Sequence, residues 1–318
     1  MNLEKYQQYS RIARGLEQAD LVLKDARIIN VFTEEIIRGD IAIQDGIIAG
    51  IGSFQGKEER DLGGKYVCPG FIDSHLHLES TLVTPAELVT VASRHGTTTF
   101  IVDPHESANV SGLAGIDYIL EQTEDVKANV YVMMPSCVPA TGIDDNGCTL
   151  TAQDMAPYLN NSRILGLGEV MDSISVVQGD KGMHDKLELF EGRIRDGHAP
   201  FLVEGDLQAY AMAGIATDHE CSFFDYAMRE RRNGLTILIR EGSAARNLEA
   251  LVGGLVQRKM NGEGFCFCTD DKHIEDIQQE GHIDHNVRKA IRLGMNSVSA
   301  IKMATINAAN CYGLKKGQ

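Results

Sequence analysis

The sequence predicts an α/β protein, a (β/α)8 (TIM) barrel preceded by a small antiparallel β-sheet domain. Three observations lead there. From Val67 onward, short apolar runs alternate with segments of helical spacing eight times in succession. Before Val67 the runs are shorter and are separated by turn residues instead of helices. The length of 318 residues accommodates one barrel of roughly 250 residues with a small appendage. The expected division is therefore 1–66, an N-terminal helix and a partial β-sandwich, and 67–318, the barrel.

In chain order, Leu3, Tyr6, Ile12 and Leu16 have helical spacing, and the pattern changes at Asp20. Short strands follow at Leu21–Leu23, Ala26–Phe32, Ile36–Ile37, Asp40–Gln44 and Ile47–Ile51, with Asp45-Gly46 a hairpin signal. A sheet this small cannot bury both faces, so exposed edges and apolar surface are expected. The first barrel strand is read over 67–75, followed by a helix from Thr84 with Pro85 in its first turn. Strands two to four are Thr97–Asp103, Asn129–Met134 and Ile164–Glu169, with helices over 111–123, 153–159 and 183–193. The fifth strand is poorly marked and ends near His198, with its helix at 207–213. Ile215–His219, Leu235–Arg240 and Gly264–Asp270 complete the set, with helices at 223–233, 244–259 and 286–294. Gly166-Leu-Gly168 lacks the third glycine of a dinucleotide fingerprint, which makes an open Rossmann sheet the weaker option.

Composition removes several function classes. Hydrophobic residues at 43% and charged residues at 24% exclude a disordered or collagen-like chain. A net charge of −15, with no basic stripe, argues against nucleic acid as a partner. No run approaches the ~18 apolar residues of a membrane span, and the N-terminus lacks a signal-peptide core, so a cytoplasmic location is expected. Seven scattered cysteines are expected to be reduced. Cys266 and Cys268, alternating with Phe265 and Phe267, read as small core residues rather than ligands.

Residues of metal-binding type close six of the eight predicted strands. His75 and His77 end the first, Asp103 and His105 the second, Glu169 the fourth, His198 the fifth, His219 the sixth and Asp270 the eighth. In a strand, His75 and His77 project to the same face, close enough to share an ion. Barrel sites lie at the carboxyl ends of the strands, so these residues are expected to converge. His75, His77, His198 and His219 with Glu169 and Asp270 exceed what one four-coordinate ion requires. The count therefore points to two divalent ions with Glu169 as the bridge. Water between them would lose a proton near neutral pH, and Asp270 is placed to accept and relay it. His-Glu-x-x-His, Gly-x-Ser-x-Gly and P-loop signatures are absent. His77-Leu-Glu79 matches only half of the cytidine-deaminase signature.

The block Pro69-Gly-Phe-Ile-Asp-Ser-His-Leu-His-Leu-Glu-Ser80 resembles the opening strand of the amidohydrolase superfamily. Val102-Asp-Pro-His-Glu106, Gly166-Leu-Gly-Glu-Val-Met171, Asp196-Gly-His-Ala-Pro200, Thr217-Asp-His-Glu220 and Cys268-Thr-Asp-Asp271 are similar to its bacterial adenine deaminase family. The resemblance implies an amidohydrolase-type barrel that hydrolyses adenine to hypoxanthine and ammonia in purine salvage. It implies two divalent ions, Mn2+ with Fe2+ or Zn2+ as alternatives. His75, His77, Glu169 and Asp270 would hold one ion, and Glu169, His198 and His219 the other. His105 and Glu106 would orient the purine, and Glu220 would act with Asp270 in catalysis as an acid. Adenine is then the expected partner, with assembly into a homo-oligomer. Family members continue beyond the segment matching Ala304–Leu314, so the chain is expected to lack a C-terminal part. Two other readings stay open: another amidohydrolase acting on a cyclic amide or a different aminopurine, and a metal- or purine-binding barrel without turnover.

Overall fold

The computed structural model describes residues 1–314, and the chain divides into two compact units. The first comprises Met1–Pro69 together with Gly313 and Leu314; the second is Gly70–Tyr312.

The first unit opens with the helix Leu3–Ala13, whose N-terminus is capped by the Asn2 side chain accepting from Lys5 N. Five strands follow: β1 (Ala19–Asn30), β2 (Glu35–Gln44), β3 (Ile47–Gly52), β4 (Gly56–Asp61) and β5 (Tyr66–Val67). β2 pairs antiparallel with β1 and with β3, and Asp45 and Gly46 both take positive φ in the tight turn between β2 and β3. The sheet is mixed instead of purely antiparallel, because β4 and β5 return across it to pair parallel with β1. The two strands expected at 21–23 and 26–32 are one strand. Asp25, at φ +51°, makes a bulge between Leu23 and Ala26 that interrupts the alternation without ending the ladder. Ile12, Ala19, Val22 and Ala42 form one small core, while Ile36, Ile48 and Ile51 are exposed, as expected of so small a sheet.

The second unit carries eight parallel strands in chain order: β6 (Phe71–Leu76), β7 (Thr97–Val102), β8 (Asn129–Met134), β9 (Ile164–Val170), β10 (Ile194–Gly197), β11 (Thr217–Asp218), β12 (Thr236–Arg240) and β13 (Phe265–Cys268). They form sheets of five and three strands, the five-stranded one curling in chain order from β6 to β10. Ala216 N donates to Arg195 O at 2.9 Å beside the β10–β11 gap, and Asp270 N donates to His75 O at 3.0 Å beside β13 and β6. Phe100, Val102, Val132, Met134 and Leu167 are fully buried. Strands covered on both faces are near-continuously apolar, which is why these runs were legible without alternation.

Several element boundaries differ from the expectation. Val67 belongs to β5, and the first parallel strand starts at Phe71, because the Pro69-Gly70 break separates two apolar runs that read as one. The helix expected at 111–123 is Leu113–Gln122, and a further helix, His105–Ser111, precedes it across Gly112, which has φ +62°. The helix expected at 183–193 is Lys181–Leu189, which starts and ends earlier, and a further short helix, Ser173–Gln178, precedes it and ends at Gly179. The helix expected at 286–294 spans Ile283–Arg292, and Ile274–Glu280, Ser297–Met303 and Ile306–Cys311 are further helices. All seven cysteines are free, with Cys266 and Cys268 in the core.

Candidate metal centre

Of the site residues expected from sequence all are buried except His105, Glu106, His198 and Glu220, and all are brought to the carboxyl ends of the strands β6 to β13. His75 Nε2 and His77 Nε2 lie 3.1 Å apart. His77 Nδ1 lies 2.8 Å from Asp103 O, an acceptor only, so Nδ1 carries a proton and Nε2 is the nitrogen turned to the site. Asp270 Oδ1 stands 3.2 Å from His77 Nε2 and 3.8 Å from His75 Nε2.

The two oxygens of Glu169 face different histidines. Oε1 lies 3.5 Å from His77 Nε2, 4.0 Å from His75 Nε2 and 3.1 Å from His105 Nδ1. Oε2 lies 2.8 Å from His198 Nδ1 and 3.3 Å from His219 Nε2. The carboxylate thus stands between two nests of nitrogen donors. Its backbone is held on both sides: Glu169 N donates to Asp103 Oδ2 at 2.7 Å, and Ser136 Oγ donates to Glu169 O at 2.6 Å. Gly168 makes the first contact possible, because a Cβ there would meet Asp103 Oδ2 at 2.2 Å.

The electrostatics are those of a cluster that attracts cations. Burial alone would raise Glu169, but His105, His198 and His219 override it and hold its carboxyl well below the ordinary range. Burial likewise opposes charge on His219 and His105, yet Glu169 beside each pushes both up to about 9. Burial and then the charges of His219 and His77 drive His75 well below its ordinary value, leaving it neutral. Protons on these rings balance the buried carboxylates, and a divalent ion would take their place.

The residues fit such ions. His75–Glu169–His77 and Glu169–His198–His219 each place their ligand atoms within 4.8 Å of one another, as do His75, His219 and Asp270. The imidazole and carboxylate donors suit Mn, Fe or Zn. Buried Nδ1 atoms of His75 and His219 have no protein partner.

Supporting contacts lie outside the residues expected from sequence. Asp73 Oδ2 accepts from Thr269 Oγ1 at 2.5 Å, and Asp73 Oδ1 from Thr269 N at 3.0 Å, joining the strand of His75 to that of Asp270. Asp218 Oδ1 accepts from Ala199 N at 2.6 Å and its Oδ2 from Glu220 N at 2.9 Å, joining the turns after His198 and His219. Glu79 is a half-buried carboxyl pushed up to about 7 by desolvation and by Glu106. Both line a cavity of about 420 Å³ with Ser107, Val110 and Tyr118. Arg240 holds Glu220 and touches Asp270. The rule that selected the histidines, polar residues at strand ends, would also have selected Arg240.

Residues 66–318 match the amidohydrolase family model. The chain belongs to the amidohydrolase family. Among curated members, it is 57% identical over 314 residues to an adenine deaminase of Desulfitobacterium hafniense (strain Y51), covering 99% of this chain and 55% of that one. It is 48% identical to an adenine deaminase of Clostridium acetobutylicum, covering 96% and 53%. The chain therefore spans about half the length of the curated relatives it matches. The fold is similar to crystal structures of a dihydroorotase, with TM-score 0.64, 16% identity and coverage of 94% and 84%, and of N-acetyl-D-glucosamine-6-phosphate deacetylase from Mycobacterium smegmatis, with TM-score 0.66, 15% identity and coverage of 92% and 90%. An amidohydrolase-type fold is shared with both.

Proposed function

We propose that this chain carries the metal-dependent core of an adenine deaminase, converting adenine and water to hypoxanthine and ammonia. The observation that carries this reading is the division of Glu169 between His75/His77 and His198/His219, in a chain whose curated relatives bear that name. The eight parallel strands are read as one closed (β/α)8 barrel, with the N-terminal unit a partial β-sandwich. His75, His77, Glu169 and Asp270 would hold one ion and Glu169, His198 and His219 the other, with Mn2+ the first choice. Divalent ions there would acidify water, supplying a nucleophile near neutral pH.

The chain's own residues do the rest. Asp270 Oδ1, facing His77 at 3.2 Å, takes the proton of the attacking water and delivers it to the departing amino nitrogen. His77 is kept in one tautomer by Asp103 O. His105, whose Nδ1 lies 3.1 Å from Glu169 Oε1, and Glu106, 3.8 Å from the His105 ring, stand at the edge of the cluster and orient the purine there. Ammonia release from a panel of aminopurines and cyclic amides, with Mn2+ supplied, tests the reading. Adenine should be the preferred substrate. Preferred release from another aminopurine, or hydrolysis of a cyclic amide, would move the chain to a different amidohydrolase reaction. Metal loading without any turnover would make it a binding protein.

A further inference from the structure

Arg240 ends β12, the strand between those that carry His219-Glu220 and Asp270. Its side chain is 12% exposed. Nη1 and Nη2 donate to Oε1 and Oε2 of Glu220 at 2.5 and 2.7 Å, and Nη1 also donates to Asp270 Oδ2 at 2.9 Å. Among the described residues no other lysine or arginine pairs with either carboxylate.

The side chain is used differently from its half-buried counterparts. Arg193 and Arg195 spend their guanidinium groups on backbone carbonyls, and Arg163 on two carbonyls and the Thr123 hydroxyl, the usual work of tying loops to strands. Arg240 makes no such bond: its hydrogen bonds go to the two carboxylates, and its buried Nε has no partner. Arginine has donors only, in a rigid fork that matches a carboxylate. Both Glu220 oxygens therefore accept. Holding Asp270 by Oδ2 leaves Oδ1 turned toward His75 and His77, 3.8 and 3.2 Å away.

We propose that Arg240 is a positioning residue that sets substrate choice and aims Asp270. It presents Glu220 to the substrate as a hydrogen-bond acceptor, in place of the acid role expected from sequence, so that the site selects a ring edge bearing N–H. It also fixes which oxygen of Asp270 reaches the metal centre. The choice of adenine as the ligand rests on the function proposed above; the aiming of Asp270 does not.

The test uses the full chain with Arg240→Gln, Arg240→Lys, Glu220→Gln and the double variant Arg240→Gln/Glu220→Gln, each checked for an intact fold by circular dichroism. Mn2+ affinity is measured by equilibrium dialysis, and adenine kinetics at saturating Mn2+. In Arg240→Gln, Mn2+ affinity should fall about 10- to 100-fold, the range for residues that orient metal ligands. At saturating Mn2+, KM for adenine should rise about tenfold or more, since a binding contact is lost, with kcat falling less. In the Glu220→Gln background, Arg240→Gln should raise KM by no more than about twofold, because the contact it serves is already gone. Arg240→Lys, a single point charge that cannot hold both carboxylates, should fall between. Mn2+ affinity and KM both within twofold of the unsubstituted protein, or fully additive KM effects, would overturn the proposal. If Arg240→Gln fails to fold, Arg240→Lys decides by the same criteria. An unsubstituted protein that releases no ammonia from adenine defeats the functional reading instead. The loss of Mn2+ affinity then decides the aiming of Asp270 by itself.

Discussion

Asp270 and Gly168 show how much of the proposed chemistry depends on single atoms. Asp270 sits at φ +58°, an uncommon backbone for a non-glycine residue, and its two oxygens serve different partners, Arg240 and the histidine pair. Asp270→Asn keeps the size and removes the proton acceptor. Turnover of adenine should fall about 10²- to 10⁴-fold while the fold persists, as read by steady-state kinetics and thermal melting. An unchanged kcat would remove Asp270 from proton transfer. Gly168 is a packing constraint, not a chemical one. In Gly168→Ala the new methyl would meet the Asp103 oxygen that accepts Glu169 N. A loss of about 1–3 kcal/mol in stability is expected from such overpacking, with reduced metal binding because Glu169 shifts. Denaturant melts with and without Mn2+ measure both effects.

At the scale of elements, the site depends on ties between neighbouring strand ends. Asp73 links β6 to the segment after β13, and Asp218 links the turns after β10 and β11. Behind Asp218, the helix Phe224–Arg232 buries Glu230 completely, with Cys221 Sγ donating to its Oε2 at 3.0 Å. Burial, then Asp218, pushes this carboxyl up to about 9, so it is protonated in the folded protein at neutral pH. The unfolded chain loses that proton near the ordinary glutamate value of about 4.3. A raised folded pKa means the stabilising contribution is complete below the unfolded value and is lost as pH rises through the folded one. Glu230→Gln, neutral throughout, should therefore flatten the decline of Tm between about pH 5 and pH 9, with the largest gain over the unsubstituted protein at the alkaline end. Parallel Tm-versus-pH curves for the two proteins would show that Glu230 is not held neutral.

For the molecule as a whole, ions held by the buried cluster of histidines and carboxylates would make folding and metal binding one equilibrium. Ions that bind only the folded chain stabilise it in proportion to the logarithm of their excess over Kd, about 2.7 kcal/mol at a hundredfold excess. Elemental analysis of Mn2+-loaded protein should find about two ions per chain, and their removal by a chelator should lower Tm while leaving the core strands formed. One ion per chain, with adenine turnover retained, would favour a mononuclear centre.

The repeated alternation of strand and helix, the turn at Asp45-Gly46, and the residues of metal-binding type at strand ends were all legible in the sequence. Each depends on neighbours within a few positions, where period and turn chemistry are local constraints. The additional short helices His105–Ser111 and Ser173–Gln178 and the fusion of β1 through Asp25 were not legible, because short runs carry no mark of where hydrogen bonding starts or stops. The sequence by itself determined which residues could meet at the strand ends. Only the tertiary structure decided how they meet: which oxygen of Glu169 faces which pair of histidines, that Arg240 holds Glu220 and Asp270 together, and that Asp73 closes on Thr269. Asp73 and Thr269 stand 196 positions apart, and at that separation partner choice is set by the packing of the strands and by the requirement that every buried charge find a counterpart.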